Sequence, residues 1–81
     1  MSSETIRDLL VAIAKTLVDR PDQVSVNELH SEQAFIFELR VAKEDVGKVI
    51  GRGGRTAMAL RGILEAAAGK HKKRVILEIL E

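Results

Sequence analysis

With 81 residues the chain has room for one domain around a modest core, and a hydrophobic fraction of 46% argues against a disordered chain. The absence of cysteine excludes disulfides, thiolate metal sites and cysteine nucleophiles, and fits a reducing compartment. A formal charge of +1 hides an uneven distribution: residues 1–45 carry five basic and nine acidic side chains, whereas residues 46–74 carry eight basic ones against Glu65 alone, a pattern that suits a polyanionic partner.

The N-terminal stretch carries acidic residues where a secretory signal has positive charge, and its apolar run Leu9–Ala14 is too short to span a membrane, so a cytoplasmic protein without a membrane partner is expected. Ile6, Leu9, Leu10, Ile13, Leu17 and Val18 recur at helical spacing and predict a helix from Thr5 to about Asp19. Ser3 is a candidate cap, and Pro21 stops the segment. Val24–His30 is β-prone, Ser31–Gln33 is turn-like, and Ala34–Val41 alternates, with Phe35, Phe37, Leu39 and Val41 on one face and Glu38 and Arg40 on the other. An antiparallel hairpin with one buried face follows, and both phenylalanines are expected in the core.

Glu44 and Asp45 are placed to cap a short helix, Val46–Ile50, which Gly51 ends. A longer helix is predicted from Arg55 to Ala68, with Gly69 as its stop. Lys70–Lys73 forms a basic turn, and Arg74–Leu80 alternates Val75, Leu77 and Ile79 against Glu78 as a last strand. The order α-β-β-α-α-β, without linker or repeat, predicts a single α+β domain over residues 1–81, a three-stranded sheet covered on one face by helices.

The segment Gly51-Arg52-Gly53-Gly54 joins two helices, with Lys48 before it and Arg55 after it. Glycines permit backbone angles closed to other residues and let a ligand approach the main chain. The helix that starts at Arg55 turns its unpaired N–H groups and positive dipole end toward this loop. Arginine adds a fork that matches phosphate. A plain helix–helix turn needs one or two glycines and no basic flank; an anion cradle accounts for the whole set. No window supplies a Walker A loop. The dinucleotide fingerprint fails at Thr56, where its last glycine belongs, and it requires a preceding strand rather than a helix.

Val49-Ile50-Gly51-Arg52-Gly53-Gly54 resembles the hydrophobic-Ile-Gly-x-x-Gly signature of KH domains, whose GXXG loop clamps about four backbone nucleotides. The element order resembles the type II topology. Leu39-Arg40-Val41-Ala42, Glu44–Gly51 and Ala66-Ala67-Ala68 together resemble the KhpA family of small bacterial RNA-binding proteins. Gly53 departs from that pattern, where a polar side chain is expected. The resemblance implies single-stranded RNA held by Lys48, Val49, Ile50, Gly51, Arg52, Gly53, Gly54 and Arg55, with low sequence specificity, in an RNA chaperone or post-transcriptional regulator. It implies a base groove lined by Val46, Val49 and Ile50 on one side, and by the second strand or the Arg55–Ala68 helix on the other. It also implies self-association and pairing with a larger Jag-type (KhpB) RNA-binding protein.

No cofactor and no catalytic set is expected. His30 and His71 lie in separate segments without a carboxylate set, so a metal site or triad has nothing to build on. On a helical wheel of Arg55–Ala68, Ala57, Leu60, Leu64 and Ala67 form a core arc, while Met58, Ala59, Gly62, Ile63 and Ala66 take much of the other side. A helix apolar nearly all round predicts a second covered surface, a homodimer or heterodimer contact. The different-class alternative is therefore an interaction module that recruits a larger partner.

Overall fold

Ile6, Leu10, Ala14 and Val18 follow one another at four-residue spacing, which places them on one side of a helix. In the computed structural model, which describes residues 3–69 and 72–81, helix α1 (Ser3–Leu17) and the residue after it bury this stripe. The helix ends two residues earlier than its periodicity predicts. The amides of Asp19 and Arg20 go to the carboxylate of Asp45 instead of continuing the helix. Ser3 opens α1, and the cap expected of its side chain lies outside what is described.

Strands β1 (Ser25–His30) and β2 (Ala34–Arg40) pair antiparallel, with Leu39 opposite Val26 and Phe37 opposite Glu28. The Ser31 hydroxyl closes the turn between them by accepting the amides of Gln33 and Ala34. After β2 come a 3-10 turn over Lys43–Asp45, the short helix α2 (Val46–Ile50), a second 3-10 turn over Arg52–Gly54, and helix α3 (Arg55–Ala68). Strand β3 (Arg74–Leu80) then pairs parallel to β2, Val75 beside Phe35 and Leu77 beside Phe37. A parallel neighbour needs a long crossover, and α2 with α3 supplies it. The domain has the α-β-β-α-α-β order and the one-sided helical cover that the hydrophobic pattern predicts, with β2 central.

The core lies between sheet and helices: Phe35, Phe37, Leu39 and Val41 from β2 and its end, Ile6, Leu10 and Ala14 from α1, Val49 from α2, and Leu60, Leu64 and Ala68 from α3. Both phenylalanines are buried. The C-terminus of α3 departs from expectation. Gly69 keeps right-handed angles (φ −56°), and among the described residues that follow it Lys72 is left-handed (φ 54°). Lys70 and His71, part of the basic turn, lie outside the described residues.

Candidate functional site

The turn between α2 and α3 depends on three glycines with positive φ: Gly51 (77°), Gly53 (63°) and Gly54 (80°). Gly51 is the most constrained, since a Cβ there would stand 2.2 Å from the Thr56 hydroxyl. The Gly54 amide donates to the Gly51 carbonyl at 3.1 Å, closing the loop just before α3 begins. A Cβ on Gly53 or Gly54 meets nothing within 4 Å, so the loop's backbone stands open. Arg52 and Arg55 are exposed and form no ion pair among the described residues. Two unpaired guanidinium groups therefore flank an open backbone at the positive end of a 14-residue helix.

Two residues expected at this site are placed differently. Val49 is fully buried, so its side chain supports α2 from inside and lines no groove. Lys48 is committed to carboxylates: its Nζ lies 3.3 Å from Asp19 and 3.6 Å from Asp45. Its hydrogen bond to Asp19, more than its pairing with Asp45, raises the ammonium's pKa above the ordinary value. Asp45 does not cap α2 either. Its carboxylate is only 1% exposed and accepts the amides of Asp19 (3.2 Å) and Arg20 (3.0 Å), tying the end of α1 to the start of α2. Burial pushes the Asp45 pKa up, but the two amides and the Lys48 ammonium outweigh it and hold the group below its ordinary value. The Asp45–Lys48 spacing signals the local half of this clamp in the sequence; the contribution of Asp19, distant along the chain, leaves no such signal.

Of the two walls expected for a groove, the second strand or the Arg55–Ala68 helix, the helix borders an open cleft. Val46 packs against the core, Ile50 remains partly exposed beside the loop, and β2 is the central strand. The open trough lies between α3 and β3. A cleft of about 410 Å³ is lined by Arg61 and Glu65 of α3 and by residues 73–77. A smaller one of about 150 Å³ is lined by Ala57, Met58, Arg61 and Leu77. Arg61 and Leu77 belong to both, so the trough continues from the first turn of α3 toward β3. The Arg61–Glu65 stripe, paired at 3.2 Å, faces this trough, and Lys73 at its far end lies over the Phe35 ring at 4.7 Å. The sequence showed the stripe; which strand it faced depended on the crossover.

The residues that the helical wheel places on the other side of α3, Met58 (72%), Ala59, Gly62, Ile63 (45%) and Ala66, all face outward in the single chain. Among the described residues there is no cluster of three metal-ligating side chains, and no helix is long and apolar enough to cross a membrane.

Comparison with known proteins adds to this geometry. Residues 7–79 match the family model described as the KhpA/KhpB KH domain. An RNA-binding protein KhpA from Caldanaerobacter subterraneus subsp. tengcongensis is 59% identical over 73 residues, covering 90% of this chain and 97% of the relative. The protein of that name from Clostridium acetobutylicum is 55% identical over 75 residues, covering 93% and 100%. The one from Aquifex aeolicus is 50% identical over 76 residues, covering 94% and 96%. No solved structure matches the chain.

Proposed function

Because the chain belongs to the KhpA/KhpB KH-domain family, we propose that it binds single-stranded RNA, with the Gly51–Gly54 loop as the backbone clamp. One observation carries this reading: Arg52 and Arg55, both without carboxylate partners among the described residues, flank left-handed glycines at the start of α3. Phosphates would take the loop and helix N–H groups and the two guanidinium forks. Ile50 contributes an apolar edge, and bases would extend along the trough beside Ala57, Met58, Arg61 and Leu77. Recognition through backbone and small apolar side chains gives low sequence specificity, as suits an RNA chaperone or post-transcriptional regulator in the cytoplasm. The role is binding rather than catalysis, and the domain over residues 1–81 suffices for it.

The experiment is fluorescence polarisation with short single-stranded RNA and the double variant Arg52→Asp, Gly53→Asp. Asp is among the few residues that tolerate the left-handed angles of position 53, so the fold should survive. Two carboxylates against phosphate should weaken binding by about tenfold or more. Unchanged affinity in a variant with wild-type circular dichroism removes the loop from the account.

The outward face of α3 favours a second element. Its small and apolar residues fit a closely approaching helix, in a homodimer or in a heterodimer with a Jag-type KhpB protein. Ala66→Glu is expected to reduce association while leaving thermal stability nearly unchanged, within about 0.5 kcal/mol for a surface change. Analytical ultracentrifugation checks it, with and without the partner. A wild type that is monomeric and does not bind the partner removes this element.

A further inference from the structure

The sheet face turned away from the helices carries a row that crosses all three strands. Leu29, Ile36 and Ile76 are directly paired neighbours on β1, β2 and β3, and Leu29 and Ile76 are 47% and 40% exposed. Residues two apart on a strand share a face, so Arg74, Ile76 and Glu78 all stand on this side of β3. A cation thus lies on one side of the apolar row and a carboxylate on the other, each about 6.7 Å along the strand from Ile76. Neither Arg74 nor Glu78 has an ion pair among the described residues. On β2, Glu38 continues the acidic side and accepts a hydrogen bond from the Asn27 side chain at 3.0 Å.

We propose that this face is a self-association surface, on which a second copy packs sheet against sheet with strands antiparallel. The two-fold axis runs along the Leu29–Ile36–Ile76 row. Rotation about it lays the apolar row on its own image, keeps β3 over β3, and exchanges the residues on either side. Arg74 of each copy then meets Glu78 of the other, giving two reciprocal ion pairs around an apolar centre. The other in-plane axis, parallel to the strands, brings the Glu38–Glu78 row onto its own image and stacks like charges. The charge pattern therefore selects one pairing, isologous and closed. A face three strands wide is smaller than the roughly 800 Å² per partner of a standard interface, so the contact is weak and shows at high protein concentration. Its centre lies on the sheet face turned away from α3, and at the β3 edge Arg74 and Ile76 also border the cleft beside that helix.

The test is methyl NMR of the RNA-free protein on dilution from millimolar to tens of micromolar concentration, with Arg74→Glu and Glu78→Arg as variants. In the wild type, the Leu29, Ile36 and Ile76 methyl signals should move together on dilution while those of buried Leu10 and Leu64 stay fixed. Each variant alone replaces two attractive contacts by two repulsive ones, so its association should weaken by about tenfold or more. An equimolar mixture of the two variants regains both ion pairs and should restore the wild-type shifts. Wild-type signals of the three row residues that do not move with concentration overturn the proposal. So does a mixture that stays dissociated like its components.

Discussion

Helix α2 has five residues, and its two ends use positive charge in opposite ways. At its start stands Asp45, which with Asp19 holds Lys48 from the middle of the helix in a clamp that joins α1 to α2. Past its end, Arg52 and Arg55 stand in the open without carboxylate partners among the described residues, around glycines in left-handed conformation. Both regions look alike in a count of basic residues. They differ in what the cations already hold: a phosphate meeting Lys48 must compete with two carboxylates, whereas at Arg52 it displaces only water. The clamp orients the helix, and the loop is free to bind.

The largest effect should come from breaking the loop's geometry while leaving every charge in place. Gly51→Ala imposes a left-handed angle on a residue with a Cβ and drives that atom into Thr56. The backbone strain alone costs about 1–3 kcal/mol, and RNA affinity should fall with it. Thermal melts and polarisation measured together check this; a variant with wild-type melting and wild-type affinity means the loop tolerates other conformations.

The clamp end should respond to acid. The Asp45 carboxyl titrates below its ordinary value of 3.8 in the fold, so unfolding takes up a proton as pH falls. Its contribution to stability is present in full well above pH 3.8 and is lost as pH drops through the lower folded value. Asp45→Asn should therefore melt below wild type at neutral pH, with the gap narrowing under about pH 4. A gap independent of pH shows that the carboxylate's charge does not support the clamp. Lys48, raised above 10.5, works in the opposite sense: its contribution is complete below that pH and lost as pH rises through the higher folded value.

Much of the fold was legible because its signals are local. The alternation of Phe35, Phe37, Leu39 and Val41, the four-residue stripe of α1 and the glycines between two helical patterns each specify an element without long-range knowledge. The loop itself was legible for the same reason. What escaped depended on distant partners. Asp45 looks like a helix cap until the amides of Asp19 and Arg20 arrive from another element. Val49 reads as a groove residue until the core closes over it. That the cleft beside α3 is bordered by β3 follows from the parallel crossover, which brings that strand to the sheet edge next to the helix. Lys48 and Arg52, four residues apart, could not be distinguished by type or spacing; only their partners separate them.

The most direct test of that distinction compares the salt dependence of RNA affinity in wild type, Arg52→Ala and Lys48→Ala. Each phosphate neutralised on a single strand contributes about −0.7 to the slope of log K against log salt, so three to five contacts give the wild type a slope of roughly −2 to −3.5. Arg52→Ala should make the slope shallower by about 0.7. Lys48→Ala should leave the slope where it was and lower the melting temperature instead. The same reduction in both variants would contradict the account, because the clamped lysine would then be a phosphate contact like any other.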